Sequence, residues 1–467
     1  MEILYNDSRW GNSGELMFGY KIGKYIEKHD IEAIPESERH IKPRSLFFVW
    51  FASNLTIGDL VLGFLFSGFG LDLNAYLIAA FLGNILGGSM LAFMSITGKL
   101  TAQPQMINSQ RSFGTAGGRA MSVLQWFNTI GWLTFNTVIA AYAMAGLISS
   151  GSLYFVPILI VSAIIFMLVL FGQEILHRFE RYMSVILGIL FIYICLSFPS
   201  HWGAVTASLS SGTFSFSNFG IVLALSFSYI MSWGPYAADY SRYVPAESKN
   251  SMVFLFTLVG AAVASFWVEV VGFFMGAATG ISTASTTDPT APISAFMGYY
   301  APVGLLVMVL GGLSANALNL YSNSLSLKSA GIRASRVTIT LVVMVIAFTL
   351  AVLGYSNFYP DYESFLYLLD YWITPWLGVM IADFFIVNRT WERKAFSALN
   401  SRGIVAYLVG IAVSIPFMNP GTVIAPQYFA VILGGVDISY FVSFSVALVL
   451  YVVFSAWRPS IKSITVS

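Results

Sequence analysis

The chain has 467 residues, is 57% apolar and 10% charged, and has a formal net charge of +1 and a mean hydropathy of +0.76. That balance belongs to proteins that cross a bilayer many times, and it offers no electrostatic basis for binding nucleic acid. One cysteine, Cys195, excludes an intrachain disulfide framework, and the first residues lack the apolar stretch of a cleaved signal segment.

Residues 1–45 are polar and mixed in charge, which predicts a loosely ordered tail. Apolar windows of bilayer length then follow near 46–71, 75–98, 120–148, 153–172, 182–200, 217–237, 251–278, 302–325, 336–355, 364–387, 403–418 and 438–457. They predict an all-α polytopic membrane protein of twelve transmembrane helices, the third and seventh long and the eleventh short. All 23 lysines and arginines fall in the two tails or in alternate connections, and the connections near 72–74, 149–152, 201–216, 279–301, 356–363 and 419–437 have none. By the positive-inside rule both termini are then cytoplasmic, in a multi-pass protein of the cell membrane.

The first helix, FFVWFASNLTIGDLVLGFLF, carries Ser53, Asn54, Thr56, Gly58 and Asp59 in an apolar run, and the sixth is interrupted by Ser232-Trp233-Gly234-Pro235. Proline removes a backbone donor and clashes with the preceding turn, so the sixth helix is expected to break inside the bilayer; the polar run points to a break in the first as well, with packing of those residues against neighbouring helices as the alternative. Freed backbone groups at that depth persist only where protein or a polar cavity supplies partners. Two broken helices opening successive blocks of five suggest an inverted repeat, with domains at about 46–200 and 217–390 inside a ten-helix core over 46–400. Two further helices occupy 401–457, and 458–467 form a C-terminal tail.

In the third helix Trp132 and Asn136 share one face, one turn apart, and pair an indole with a carboxamide as a flat heterocycle requires. Gly131 beside them permits close approach of a ligand or backbone; packing between helices accounts equally well for the pair. The eighth helix, GGLSANALNLYSNSLSL, sets Asn316, Asn319 and Asn323 in one stripe, suited to a base edge that both donates and accepts. Helix–helix hydrogen bonding is the alternative for that stripe. Ser314 and the carbonyls near Gly311 offer oxygens to a small cation. Asp59 and Glu269 lie near mid-membrane with no basic residue expected at their depth, which points to proton coupling or cation attraction, or to neutral acids bonding their neighbours. Asp383 is placed to pair with Arg389. The four histidines, His29, His40, His177 and His201, fall in tail or loops and are expected at the solvated surface. No nucleotide loop, metal-spaced cluster or nucleophile elbow is present, so the sequence predicts binding and release rather than catalysis.

Five stretches carry a family resemblance: WFASNL at 50–55, LTAQPQMINSQRSFG at 100–114, SWGPYAADYSRYVP at 232–245, WVEVVG at 267–272 and ANALNLYSNSLSL at 315–327. Through them the chain resembles the nucleobase–cation symporters, most of all their purine–cytosine permease branch, and the likeness covers roughly residues 40–400. The resemblance implies a LeuT-type fold of ten core helices, a 5+5 inverted repeat, plus two, working by alternating access. It implies that Trp132 and Trp233 sandwich a ring and that Asn319, or else Asn316, bonds its edge. The resemblance also implies Asn136 beside the ring, and Asn54, Ser232 and the freed backbone at Gly234 are further candidates for the substrate site. Sodium in that family lies against carbonyls of the first helix, here Ala52 to Leu55, and against Gly311 and Ser314 of the eighth. Sodium-coupled members often carry two adjacent hydroxyls; this chain has Ser314 followed by Ala315, a departure that weighs against sodium and toward protons, with Asp59 and Glu269 as candidate carriers.

The expected function is import of a flat nitrogen heterocycle by cation symport, cytosine or a purine first, then hydantoin, allantoin or uracil. An uncoupled facilitator on the same fold is the main alternative. An amino-acid transporter would need a carboxylate-binding helix end more than two opposed tryptophans, and a membrane enzyme or receptor would need a catalytic cluster or a large connection. No cofactor is expected beyond the coupling ion, proton or sodium. No segment points to an obligatory protein partner.

Overall fold

The computed structural model describes residues 29–148, 155–169, 173–281, 286–388, 397–419 and 428–457. Among them no β-strand occurs, and a single isolated bridge joins Leu71 to Thr213. The helices satisfy their backbone groups internally, as a bilayer demands. In chain order they are α1 (Arg44–Asn54), α2 (Ile57–Ser67), α3 (Leu73–Thr101), α4 (Gln105–Leu147), α5 (Phe155–Val169), α6 (Gln173–Cys195), α7 (Phe198–Leu209) and α8 (Phe216–Met231). A 3-10 turn, Gly234–Tyr236, leads into α9 (Ala237–Ser241). Then come α10 (Asn250–Thr279), α11 (Ala291–Met297), α12 (Ala301–Ser329), α13 (Arg336–Gly354), α14 (Phe358–Ile381), α15 (Ser401–Ser414), α16 (Tyr428–Ile432) and α17 (Ser439–Ala456). Among the described residues, eight spans are long and apolar enough to cross a membrane. The bent pairs α1–α2 (53°) and α6–α7 (65°) bring the number to ten, and α5 and α15 are shorter apolar helices. Every apolar window therefore holds a helix or a bent pair.

Four expectations change at the ends of the spans. The connection over 201–216 is in part α7, lying against α10. The motif at 100–114, between the second and third apolar windows, is in part helical, over Gln105–Phe113. Gly114, at φ 76°, separates that arm from the rest of α4. Glycine is required there: a Cβ would lie 2.6 Å from the Asn400 nitrogen, in a segment whose backbone bonds Phe113, Thr115 and Ala116. The helix begun by the fifth window starts well before residue 182, so His177 is a buried residue of α6 rather than a surface one, and His201 lies in α7. Residues 29–43 are not loose but packed across the basic end of the bundle.

That end is tied by side chain to backbone. Arg39, buried, donates to the carbonyls of Val244 and Lys99 and pairs with Glu36 at 2.7 Å. The amide of Ala246 donates to Glu36 at 2.9 Å and holds its carboxyl below the usual range. Arg242 donates to the carbonyls of His29 and Asp30 and to the hydroxyl of Tyr321. Asp239 accepts the Gln105 amide at 2.9 Å, and the Gln105 side chain accepts the Ala238 amide at 3.1 Å. Two of the motifs that carry the family resemblance thus lock to each other. Asp239 sits at the start of α4, where orphan amides favour a carboxylate. Asp239→Ala is expected to cost about 1–2 kcal/mol, read as a lowered thermal midpoint of the purified protein. Asp383 pairs with Arg111 at 3.3 Å and accepts from Ser112 at 2.7 Å. Arg389, its expected partner, lies outside the described residues.

The spans form two packing groups. α1–α2, α3, α8–α9 and α10 make one bundle; α4, α5, α12 and α13 make a second, while α14 packs with α15 and α17. Bare glycine contacts let backbones meet in the first bundle. A Cβ on Gly63 of α2 would lie 1.9 Å from the Glu269 carbonyl, and one on Gly272 of α10 would lie 2.1 Å from that of Leu60. Gly63→Ala must push α2 off α10, at a cost of about 3 kcal/mol or more. The expected result is a steep fall in folded, monodisperse protein by size-exclusion chromatography.

Candidate functional site

The two breaks meet at the centre. α1 ends at Asn54, and Leu55 and Thr56 pass to α2. The sixth span breaks as a tight turn, because Pro235 cannot donate and Trp233 and Tyr236 close i→i−3 contacts at 3.4 and 3.3 Å. Thr56 and Tyr229 bridge the breaks through their hydroxyls at 2.7 Å. Gly58 makes room for that approach, since a Cβ there would lie 2.8 Å from the Tyr229 side chain.

Around this centre stand the tryptophans. Trp132 lies edge-on to Tyr229 at 5.1 Å and Phe365 at 5.3 Å. Trp233 contacts Trp50 at 5.7 Å and Tyr236 at 5.1 Å. The structure thus brings the two indoles to the same centre in separate aromatic clusters. Both are 3% exposed, so the centre is closed to solvent. The Trp132 indole nitrogen has no hydrogen-bond partner. Gly131 faces the Phe365 ring, 2.3 Å from a would-be Cβ, so the close approach there belongs to a side chain and not to a ligand. Gly234 lies 3.5 Å, by the same measure, from Leu377, so space alone would admit a larger residue.

A line of carboxamides links the groups. Asn136 donates to Asn316 at 3.2 Å, Asn316 donates to Thr137 at 3.1 Å, and Tyr236 donates to Asn319 at 2.9 Å. The Asn319 amide nitrogen has only a 3.5 Å contact with Asn316, leaving a donor nearly unused. Asn323 instead bonds Thr129 at 2.8 Å and packs α12 to α4. Asn54 donates to the Trp50 carbonyl at 2.7 Å and its side-chain oxygen has no partner. Ser232 donates to the Tyr229 carbonyl at 2.6 Å. Three residues at this centre, Asn128, Tyr229 and Tyr236, were not singled out from the sequence. Asn128 lies one turn before Trp132; its amide reaches the Ser232 carbonyl at 3.5 Å and its oxygen has no partner. For Asn128 the signal was present, because 128, 132 and 136 share one helical face; Tyr229 and Tyr236 flank the break of the sixth span, and only the fold brings them to this centre.

The acids fall into two places. Asp59 accepts from Ser265 at 2.6 Å, and Glu269, one turn further along α10, accepts from Asn84 at 2.9 Å and Ser226 at 3.0 Å. Both carboxylates are fully buried, each has one oxygen without a hydrogen bond, and neither forms an ion pair among the described residues. At the other place, Leu55 donates to Phe51 and Ala52 at 3.0 and 3.2 Å, and Gly311 abuts the Leu55 carbonyl, 2.9 Å from a would-be Cβ. Ser314 there donates to Glu180 of α6 at 2.5 Å. Glu180 lies just before the fifth apolar window and escaped notice for that reason. A recess of about 580 Å³ lined by His40, Ile41, Lys42, Arg44, Ser45, Phe48, His177, Arg178 and Arg181 opens at the basic end and includes none of these site residues.

Comparison with known proteins adds three findings. The family model described as permease for cytosine/purines, uracil, thiamine, allantoin matches residues 33–443. YxlA of Bacillus subtilis (strain 168) is 29% identical over 464 residues, covering 94% of this chain and 97% of that protein, and the purine-cytosine permease fcyB of Emericella nidulans is 26% identical over 411, covering 84% and 79%. Among solved structures, that of Mhp1, a nucleobase-cation-symport-1 family transporter in a closed conformation with bromovinylhydantoin bound, superposes with a TM-score of 0.74 at 18% identity, over 92% of this chain and 95% of that one.

Proposed function

Because the chain belongs to the family of permeases for cytosine/purines, uracil, thiamine and allantoin, we propose that it imports a flat nitrogen heterocycle, cytosine or a purine, by cation symport across the cell membrane. The reading places both termini in the cytoplasm, in accord with the distribution of basic residues. The fold is LeuT-like, twelve helices with no role as an enzyme, and it supports alternating access about the two broken spans.

The observation that carries the substrate is the closed centre where Trp132, Trp233 and the carboxamides converge. The two indoles belong to separate aromatic clusters, Trp132 with Tyr229 and Phe365 and Trp233 with Trp50 and Tyr236. Asn319 supplies a spare donor, while Asn128 and Asn54 supply spare acceptors. Cytosine and purines present a matching set, ring nitrogens or carbonyls beside N–H groups. A ligand that leaves these buried groups unpaired is rejected.

For coupling, Asp59 and Glu269 form a buried acidic pair between α2 and α10. Two uncompensated charges there are untenable, so the pair carries a proton through part of the cycle. The test is uptake of labelled cytosine and adenine by purified protein in liposomes, with a sodium gradient, a proton gradient or neither. Accumulation under an imposed gradient supports symport; equal uptake with none favours the facilitator. Folded protein that binds and moves neither base overturns the substrate reading.

A further inference from the structure

The sequence leaves one place at the sodium-type site unfilled, because Ala315 follows Ser314 where a second hydroxyl would stand. The structure brings a different oxygen donor to that spot. Glu180 of α6 is fully buried; one carboxylate oxygen accepts from Ser314 at 2.5 Å and the other has no hydrogen-bond partner. No lysine or arginine among the described residues forms an ion pair with it.

Its surroundings accumulate negative potential. α6 packs on both α1 and α12, and the Ser314 bond ties Glu180 to α12. α1 ends at Asn54 and directs the negative end of its dipole, with the carbonyls around Ala52 to Leu55, at the break. Gly311 of α12 brings that helix onto the Leu55 carbonyl. A buried carboxylate beside a hydroxyl and a helix C-terminus must either hold a proton or be balanced by a positive charge. Hard oxygen donors of this kind suit a small alkali cation, and sulfur or imidazole ligands are absent from the set.

We propose that Glu180 is the anionic ligand of a sodium site that it forms with Ser314 and the carbonyls at the break of the first helix, taking the place of the missing hydroxyl. The site is separate from the Asp59–Glu269 pair, and it lies between the two packing groups, where a bound cation would hold α1 and α6 against α12. It rests on the cation-coupled reading above. It also adds a charge to a site otherwise built from neutral oxygens, so sodium is bound without a net positive charge.

The test uses purified full-length protein, with thermal midpoint and bound radioactive sodium read against sodium concentration at constant ionic strength in choline chloride. Cytosine and adenine binding is measured separately in sodium-free buffer. The expected result is a saturable rise in midpoint for the wild type, lost in Glu180→Gln and Ser314→Ala. Glu180→Asp, which keeps the charge on a shorter arm, should shift the sodium midpoint at least tenfold; it serves as the second variant should Glu180→Gln fold poorly. An identical sodium response in Glu180→Gln overturns the proposal, as does a wild type that responds to pH and not to sodium. Sodium binding that survives with neither base bound would uphold this site and sink the substrate reading instead.

Discussion

Asn319→Ala is expected to weaken cytosine or adenine binding about 100-fold, equal to roughly 2.7 kcal/mol, and to reduce uptake in step. Asn319 sits on the inward stripe of α12 with its oxygen taken by Tyr236 and its amide nearly unused. On the proposed reading the substitution removes a donor to the ring and strands the acceptor it served, at about 1–3 kcal/mol. It also leaves the Tyr236 hydroxyl without its acceptor, so Tyr236→Phe and the double variant close the cycle. Tyr236→Phe alone should bind base within a few-fold of wild type. The measurement is equilibrium binding of labelled base to protein whose thermal midpoint has been checked. Binding unchanged in Asn319→Ala would assign the asparagine to holding α12 against the sixth span.

The architecture was legible because bilayer length and internal hydrogen bonding leave a chain few choices. Each apolar window became a helix, and the polar insert at Asn54–Thr56 and the proline at 235 broke the first and sixth spans. What the sequence concealed lay where polar residues are buried. Residues 173–181 are rich in charge, so hydropathy began the fifth span too late and hid Glu180 and His177. The arm Gln105–Phe113 is polar enough to pass for a loop, yet Asp239 caps its start and Gly114 ends it. Arg39 and Arg242 are buried because backbone carbonyls, not acids, receive most of their donors. Hydropathy does not record such partners. At the site, the tryptophans and asparagines were visible as single residues, whereas the bridge between Thr56 and Tyr229, 173 residues apart, required the fold.

Glu269→Gln is expected to abolish proton-driven accumulation of base, by at least tenfold, while leaving exchange of labelled for unlabelled base across the liposome near wild type. Glutamine keeps the shape and the hydrogen bonds from Asn84 and Ser226, since its carbonyl accepts as the carboxylate did. It cannot release or take up a proton, so a step that needs the charged form is removed and steps that need the neutral form persist. Exchange requires only reorientation of the loaded carrier; accumulation requires return of the empty one with its proton released. Losing one without the other therefore separates coupling from binding. Asp59→Asn should act in the same direction, because its carboxylate shares the α2–α10 seam and accepts from Ser265, one turn from Glu269. If both variants accumulate base normally under a proton gradient, the pair is a packing device for α2 and α10, and the driving force enters elsewhere.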